Sequence, residues 1–318
     1  MVNSMDKLTV YDGSHLLHRG YHVADSKLSS EYGGVDPKML SDLTIFTILR
    51  SILCRKETEE SIVLLFDAPS STTYRKNVNP EYKANRSEKP HLYVIKDRLV
   101  NYLNSINLKT IQLDGLEADD IAYIMSRDLK NPINFITDDK DWFSCIRSEK
   151  TVYRPCKDEL ISVKELYDWY RPYYSFTDNV DEKILSEITL YRKALFGDSS
   201  DNIQGFNGIG EKRSHKVIRN ILKLESEGKS FRDYEATTSY ESVFTNDFDK
   251  FESNLKVLGY SHLDGVKLQS IFTPYLSKDE VSENYRTICD ELDSSTLRST
   301  VRYYNKLMKL HEPKLEFN

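Results

Sequence analysis

Short apolar runs that end in an acidic residue recur along the chain, and they predict the strands of a parallel sheet. Leu8 to Asp12 and Ile62 to Asp67 are two such runs, and Ile133 to Thr137 leads into the acidic sequence DDKD. Apolar, partly β-branched runs of about four to eight residues are typical of buried strands. Lys109 to Leu113 and Thr151 to Tyr153 predict two further strands.

Longer segments between these runs repeat their apolar residues at helical spacing. After Asp12, the pair Gly13-Ser14 is predicted to turn the chain, and Pro37 to Leu53 is predicted to cross over to the strand that ends at Asp67. A right-handed crossover of this kind brings both strand ends to one edge of the sheet. Helices are also predicted from near Ala118 to Leu129, over Val163 to Tyr174, over Asp181 to Phe196 and from Glu211 onward.

The alternation of strands and helices predicts an α/β fold with a mostly parallel central sheet flanked by helices. One connection, Ala68 to Asn107, is unusually long, polar and basic before it regains helical spacing through Leu92 and Leu99. A connection of that length in a compact domain is usually a functional loop or lid.

Two tight acidic groups stand at the predicted sheet edge. Glu117, Asp119 and Asp120 open a helix, and Asp138, Asp139 and Asp141 follow a strand. Each group alone is equally typical of a helix dipole partner or a solvated turn. Because Asp12 and Asp67 end strands in the same way, we expect the carboxylates to meet in the crevice where open parallel sheets bind ligands. Asp198 and Asp201, in GDSSDN, are predicted to complete this cluster.

Carboxylates crowded together raise one another's pKa unless cations hold them. Oxygen ligands without nearby His or Cys indicate magnesium or manganese rather than zinc. The net charge of −6 argues against a generally basic surface, yet cations cluster between Arg75 and Arg98 and again between Arg192 and Arg219. Two basic regions on either side of an acidic centre predict contact with a polyanion.

The four cysteines are widely and irregularly spaced, which indicates neither a disulfide framework nor a zinc site. The N-terminus has no apolar signal core, and no stretch approaches the roughly 18 apolar residues of a membrane span. These features predict a cytoplasmic protein without a membrane segment.

Two further motifs predict contact with nucleic acid. Tyr82, Lys83 and Arg86 suit a stacked base with its phosphate held by two cations, although a solvated charged loop fits these residues equally well. The sequence GFNGIGEKR predicts a helix-hairpin-helix, whose exposed N–H groups hold a phosphate. A glycine turn between two core helices is the alternative for this second motif.

Taken in order, the motifs YDGS, LLFDA, PEYKANR, LEADD, TDDKDW, GDSSDN and GIGEKR resemble the flap endonuclease and 5'-3' exonuclease family, especially its stand-alone bacteriophage members. The resemblance covers roughly Leu8 to Ile218. It implies a PIN-like 5'-nuclease fold with a catalytic domain over residues 1–175 and a helical arch over about residues 70–106. It also implies a C-terminal helical domain over residues 176–318 that contains the helix-hairpin-helix. No polymerase portion follows in the sequence.

The resemblance implies two magnesium ions, for which manganese can substitute. By the family's pattern, Asp12, Asp67, Glu117, Asp119 and Asp120 serve mainly the first ion. Asp139, Asp141, Asp198 and Asp201 serve mainly the second, and Asp139 is a candidate bridge. Asp138 stands where many relatives have a non-acidic residue, so it is left out of the site.

The same resemblance implies roles for cations and glycines. Lys83 and Arg86 match phosphate-contacting positions, and Tyr82 matches a stacking aromatic residue. Lys193 and Arg19 match basic positions near the site. The residues that match the duplex-binding hairpin are Gly208, Gly210, Lys212 and Arg213.

The activity implied is hydrolysis of DNA or RNA-DNA hybrids at 5' flaps and free 5' ends, leaving a 5'-phosphate and a 3'-hydroxyl, as in primer removal during DNA replication. We expect a monomer, in the cytoplasm of a bacterial host if the chain is phage-encoded. A DNA-binding protein without catalysis is the alternative. A phosphatase of the haloacid dehalogenase type is disfavoured, because Ser14 stands two residues after Asp12 where that family needs a second Asp.

Overall fold

A six-stranded sheet forms the centre of the protein, with the strands in the order β3-β2-β1-β4-β5-β6. The computed structural model describes residues 7–32, 36–53, 61–69, 73–86, 89–105, 109–174 and 182–266. The first five strands are parallel to their neighbours, and β6 is antiparallel to β5. The strands are β1 Leu8–Asp12, β2 Ser61–Leu65, β3 Lys109–Ile111, β4 Ile133–Ile136, β5 Lys150–Arg154 and β6 Glu159–Ile161. The predicted α/β fold is confirmed.

The register of the central strands brings their carboxyl ends together. Asp12 at the end of β1 pairs with Leu65 of β2, and Tyr11 pairs with Ile136 of β4. Asp67 and the acidic sequence after β4 therefore lie at the same edge as Asp12, as the crossover argument predicts.

Both faces of the sheet are buried, because side chains alternate between two apolar clusters. Val10 and Phe135 pack on one face, and Tyr11 and Ile136 pack on the other. Strands covered on both sides explain why the runs are apolar throughout rather than alternating.

The crossover from β1 to β2 contains two helices, α1 Gly13–Tyr32 and α2 Pro37–Leu53. The expectation of a turn at Gly13-Ser14 was wrong, since α1 begins there directly. A Cβ atom at Gly13 would lie 2.7 Å from the carbonyl oxygen of Leu65, so glycine lets this helix start against the neighbouring strand.

Most of the remaining helices match the predictions, whereas strand β6 and the short hairpin at residues 197–204 were not predicted. Residues of the predicted arch that the structure describes form α3 Tyr74–Val78 and α4 Pro90–Ser105, and Leu92 and Leu99 are buried as helical spacing requires. The other helices are α5 Ala118–Asp128, α6 Val163–Tyr170, α7 Glu182–Phe196, α8 Glu211–Ser226, α9 Ser239–Thr245 and α10 Phe248–Leu258, and a hairpin joins β7 Gly197–Asp198 to β8 Ile203–Gln204. Residues 70–72, 87–88 and 106 of the predicted arch lie outside the described residues.

One apolar cluster joins the two halves of the chain, since it contains Leu8 and Phe135 together with Phe251 and Leu263. The division into domains at residue 175 stays a prediction. Among the described residues, no helix combines the length and the apolar character needed to cross a membrane.

Candidate active site

A crevice of about 530 Å³ opens at the carboxyl edge of the sheet. It gathers carboxylates from segments that are far apart in sequence. Eight of the nine residues predicted as metal ligands line it, namely Asp12, Asp67, Glu117, Asp119, Asp139, Asp141, Asp198 and Asp201. The convergence that the strand ends suggested is therefore present in the fold.

Hydrogen bonds to neighbouring segments fix the carboxylates at the strand ends. Asp12 accepts bonds from the backbone N–H of His15 at 2.8 Å and from the Thr137 hydroxyl at 2.9 Å. Asp67 accepts a bond from the backbone N–H of Ala118 at 2.7 Å, at the start of α5. Asp139 accepts a bond from the N–H of Asp141 at 3.0 Å. Each carboxylate is thus oriented before any ligand arrives.

Burial and mutual repulsion raise the pKa of four of these acids, Asp12, Asp119, Asp141 and Asp201, and so disfavour their charged forms. Burial, then the charge of Asp67, raises the pKa of Asp12 to about 8. Burial, then Asp139, raises the pKa of Asp141 to about 7 in spite of Lys193. A divalent cation between such groups would relieve the repulsion and favour ionisation. These shifts fit a site that completes its charge balance with cations.

The first acidic group closes around a buried arginine. Arg75, whose side chain is 3% exposed, donates to Glu117 at 3.1 Å, to Asp119 at 2.9 Å and to Asp120 at 2.9 Å. Burial opposes ionisation of Asp120, but the charge of Arg75 lowers its pKa. Arg75 was expected on a basic surface that contacts a polyanion. It lies instead inside the protein.

Asp120 differs from the other predicted ligands because it lies behind the crevice. One of its oxygens accepts the backbone N–H of Glu117 at 2.9 Å, and the other lies 2.8 Å from an Arg75 nitrogen. Its side chain is 1% exposed. With both oxygens held by protein groups, Asp120 orients Glu117 and Arg75.

Tyr82 and Lys83 reach the same group from the arch segment. The Tyr82 hydroxyl donates to Glu117 at 3.0 Å, and Lys83 Nζ lies 2.8 Å from the same carboxylate oxygen. The Tyr82 ring is only 3% exposed, so in this conformation it is not available to stack on a base as expected. Lys83 adopts a positive φ of 55°, and its N–H donates to the carbonyl of Asp201 at 2.9 Å.

In the folded protein, the second acidic group consists of Asp141, Asp198 and Asp201, and it is more open than the first. In the part of the chain that is described, Asp141, Asp198 and Asp201 form a group whose ligand oxygens all lie within 4.8 Å of one another. Lys193 contacts Asp141 and lies 2.6 Å from Asp198, and Arg86 lies 2.8 Å from Asp201. Three converging carboxylate oxygens suit a divalent cation such as magnesium.

Asp138 also lines the crevice, but its contacts and those of Arg19 lie outside the carboxylate cluster. Asp138 accepts the backbone N–H of Cys156 at 2.9 Å, and its other oxygen lies 3.4 Å from His15 and 3.8 Å from Arg19. Arg19 therefore reaches Asp138 rather than the cluster itself. Leaving Asp138 out of the ligand set stays a prediction that fits this orientation.

The glycine-rich hairpin projects before α8. Ile209 is buried beneath it, while Gly208 takes a positive φ of 79° that a side chain would strain. Arg213 donates to the carbonyl of Gly208 at 2.7 Å, and Lys212 is exposed on the first turn of α8. At Gly210, a Cβ atom would meet nothing within 4 Å. The two predicted cations thus lie at the hairpin, next to exposed backbone.

Sequence reasoning missed Arg75, Tyr260 and His262 as parts of this site. Tyr260 donates to Asp119 at 3.3 Å, and a ring nitrogen of His262 lies 3.3 Å from Asp120. Tyr260 and His262 follow Asp119 and Asp120 by more than a hundred residues, and Arg75 sits in a run of ordinary cations. None of the three carries a local motif that could have revealed it.

Carboxylates and cations that converge at the carboxyl edge of a parallel sheet define a hydrolase of phosphate esters, with acids to hold metal ions and cations to meet the phosphate. Residues 7–176 match the family model described as "5'-3' exonuclease, N-terminal resolvase-like domain". The chain therefore belongs to the 5'-3' exonuclease family, and it is a 5'-3' exonuclease that hydrolyses phosphodiester bonds. The family predicted from the motifs is confirmed.

Similar proteins and structures support membership of the 5'-3' exonuclease family. A 5'-3' exonuclease of Mycoplasmopsis pulmonis is 29% identical over 237 residues, which cover 73% of this chain and 71% of the relative. A structure of the bacteriophage T5 5'-exonuclease with bound divalent metal ions has a TM-score of 0.57 at 20% identity and covers 90% of this chain and 100% of its own. A T5 flap endonuclease complex with DNA and metal ions has a TM-score of 0.55 at 18% identity, covering 96% and 98%. At these identities the structures support the fold.

Proposed function

We propose that this exonuclease uses two divalent cations, with magnesium as the natural ion and manganese as a substitute. Asp12, Asp67, Glu117 and Asp119 would hold the first ion, with Asp120 orienting Glu117 behind them. The residues proposed for the second ion are Asp139, Asp141, Asp198 and Asp201. The ligands are oxygen atoms throughout, which suits hard cations.

The charge balance of the crevice supports two ions. Of the nine carboxylates predicted as ligands, in and behind the crevice, six form ion pairs with four cations, Arg75, Lys83, Arg86 and Lys193. A pair of divalent ions would supply most of the missing positive charge. When bound, such a pair supplies a water nucleophile at neutral pH and charge compensation at the leaving oxygen.

The chain's own cations would orient the phosphate. Lys83 and Arg86 line the crevice on the arch side, and Lys193 lines it on the α7 side. Each of these three cations contacts a carboxylate in this structure. Burial lowers the pKa of Lys83, but the charges of Glu117 and then Asp67 raise it above its ordinary value, so Lys83 keeps its charge. An incoming phosphodiester would offer these cations a second anion, and they would offset the charge that develops on it.

For substrates, we propose DNA with 5' flaps or free 5' ends, and RNA-DNA hybrids. The described complex of a T5 flap endonuclease with DNA supports the flap substrate. Lys212 and Arg213 at the hairpin would grip the duplex without reading its sequence, since phosphate contacts carry no sequence information. Arg19, half-exposed beside Asp138, would lie near the entering strand.

The observation that carries the proposal is the crevice itself, where carboxylates from distant segments converge next to Lys83, Arg86 and Lys193. Asp139→Asn is the sharpest test, because the amide keeps the size of the side chain and removes its charge. We expect this variant to lose magnesium-dependent cleavage of a labelled 5'-flap DNA while binding the duplex within a few-fold of wild type.

Asp138→Asn is the matched control. It makes the same change one residue earlier, at a carboxylate that bonds Cys156 instead of the cluster, and we expect cleavage to persist. Magnesium-dependent cleavage by Asp139→Asn would remove that residue from the site. Labelled flap, nicked, blunt and hybrid substrates, compared on one gel, would rank the substrates.

A further inference from the structure

The segment from Val257 to Val266 packs directly behind the first acidic group. It leaves α10 at Gly259, whose N–H donates to the carbonyl of Leu255 at 2.8 Å. A Cβ atom at position 259 would lie 2.7 Å from that same oxygen, so glycine permits the tight exit. Beyond the exit, Tyr260 and Leu263 are buried in the largest apolar cluster.

Four contacts join this segment to the residues that carry the first acidic group. Arg75 Nε donates to the carbonyl of Val257 at 3.0 Å, which fixes the guanidinium that Glu117, Asp119 and Asp120 share. Tyr260 lies at 6% exposure with its hydroxyl 3.3 Å from Asp119. His262 lies 3.3 Å from Asp120, and Arg127 at the end of α5 donates to the carbonyl of Leu263 at 3.1 Å.

Aromatic stacking holds the two polar side chains in place. The Tyr260 ring stacks on Tyr123 of α5 with centroids 4.1 Å apart and planes at 4°. The His262 ring stacks on Tyr74 of α3 with centroids 4.1 Å apart and planes at 6°. Stacking therefore holds the Tyr260 hydroxyl on Asp119 and holds the His262 ring beside Asp120, 3.3 Å from one of its oxygens.

Tyr260 also reaches the second acidic group. Its hydroxyl accepts a bond from Ser144 at 2.9 Å, and Ser144 lies on the 3₁₀ helix Lys140–Cys145 that carries Asp141. Tyr260 further shares a small internal cavity of about 10 Å³ with Asp119, Asp141 and Asp201. One phenol thus connects the helix start that presents Asp119 to the turn that presents Asp141.

We propose that Tyr260 and His262 are positioning residues for the metal-binding carboxylates, so that the segment after α10 forms part of the nuclease centre. Tyr260 would hold Asp119 at a fixed distance from Asp141, and His262 would hold Asp120, which in turn orients Glu117. This inference rests on the proposed metal-dependent function, because it concerns the groups that would hold the first ion. Partners that orient metal ligands usually matter about tenfold or more for affinity or activity.

Tyr260→Phe tests the proposal, because it keeps the ring stacked on Tyr123 and removes the hydroxyl. The matched control is Tyr234→Phe. Tyr234 is equally buried, and its hydroxyl donates to the buried carboxylate of Glu241 at 3.1 Å, away from the crevice. Calorimetric titration of the DNA-free protein with magnesium chloride gives a readout that does not depend on cleavage, and kcat and KM are measured on a 5'-flap DNA.

We expect Tyr260→Phe to weaken magnesium binding about tenfold and to lower kcat with little change in KM. Tyr234→Phe should lower the melting temperature to a similar extent while binding magnesium like wild type. His262→Phe, which keeps the stack on Tyr74, should act in the same direction as Tyr260→Phe. Wild-type magnesium affinity and kcat in both Tyr260→Phe and His262→Phe would overturn the proposal.

The measurements distinguish a wrong metal-dependent function from a wrong positioning role. If wild type takes up no magnesium and Asp139→Asn still cleaves, the proposed function is wrong. If wild type binds magnesium and cleaves, but Tyr260→Phe and Tyr234→Phe behave alike in both titration and kinetics, only the positioning role is wrong.

Discussion

The two acidic groups of the crevice are built in different ways. The first is closed, because Glu117 and Asp120 are buried and share the guanidinium of Arg75, which is itself 3% exposed. The second, formed by Asp141, Asp198 and Asp201, is more open, because Asp141 and Asp198 are partly exposed and the Arg86 side chain that contacts Asp201 is 52% exposed.

The ion pairs of the first group therefore stabilise the fold, whereas those of the second group can be replaced when another anion binds. A buried arginine that forms several charge-assisted bonds is part of the fold, and its removal leaves carboxylates stranded away from water. A half-exposed side chain that reaches a carboxylate from solvent contributes little to stability and can move to another anion. We therefore infer that arriving substrate rearranges the second group more than the first.

The largest expected effect is on folding, and it comes from Arg75. Arg75→Ala should lower the free energy of unfolding by about 3–5 kcal/mol, because it leaves buried carboxylates without their cation. Urea unfolding of the metal-free protein, followed by circular dichroism, measures this change. Arg75→Lys, which keeps the charge but not the planar set of donors, should fall between wild type and Arg75→Ala.

Arg86→Ala is the matched control for this experiment. It removes the same side chain from an exposed pair with Asp201, so we expect a loss of less than about 1 kcal/mol. Equal losses in the two alanine variants would show that the groups do not differ as described.

A second effect should appear in chemistry rather than in folding. Lys193 contacts both Asp141 and Asp198, so Lys193→Met should free these carboxylates and tighten magnesium binding to the DNA-free protein. The same change removes a cation from the phosphate, and kcat should fall by about a hundredfold. Magnesium titration and single-turnover cleavage would separate the two results. Weaker binding together with unchanged kcat would argue that Lys193 is only structural.

A third and smaller effect depends on pH. Asp12, with a folded-state pKa of about 8, and Asp141, at about 7, both have an ordinary value of 3.8. The folded protein keeps protons that the unfolded chain has released, so its stability should fall as pH rises from about 4 through 8. Each such group contributes a slope of about 1.4 kcal/mol per pH unit between its unfolded and folded pKa values.

Thermal melts of the metal-free protein at several pH values measure this slope, and saturating magnesium should flatten it by binding the ionised carboxylates. Asp12→Asn should also flatten it, and should stabilise the metal-free protein at pH 8 while abolishing cleavage. A metal-free protein whose melting temperature rises between pH 6 and pH 8 would contradict the assigned shifts.

The closed and open acidic groups also differ in how many of their residues could be predicted from the sequence. Strand ends at Asp12 and Asp67 and the acidic start of α5 are local signals, since period and termination mark them, and the structure brings these residues into one crevice. Arg86 and Lys193 of the open group were expected near the site from the family resemblance, but Arg75, the cation that closes the first group, was not. In the sequence, Arg75 looks like any other basic residue, because its partner Glu117 lies 42 residues away. Only the fold brings the two side chains to within 3.1 Å.

Helix α1 was missed for a related physical reason. Its apolar residues are few, and the Asp12 side chain that caps it by accepting the His15 N–H was interpreted only as a metal ligand at the end of a strand. Tyr82 shows the converse limit, because aromatic and basic neighbours suggested a surface that stacks bases. The fold instead uses the phenol to orient Glu117.

The smallest effect we predict lies outside both acidic groups. Lys212→Ala with Arg213→Ala removes two cations from the glycine hairpin and leaves the crevice unchanged. Duplexes of different sequence should bind more weakly by similar factors, and the slope of log affinity against log salt should decrease in magnitude by about 2, because two phosphate contacts are lost. Arg232→Ala with Lys256→Ala removes the same charge near α10, where both cations pair with Glu252, and should leave the slope unchanged. Fluorescence anisotropy at several salt concentrations, in the presence of calcium, measures the affinity of both variants for DNA.

An unchanged slope in the hairpin variant would remove the hairpin from the DNA-binding surface. A changed magnesium affinity would show instead that the hairpin and the open acidic group are coupled through α7 and the β7–β8 hairpin.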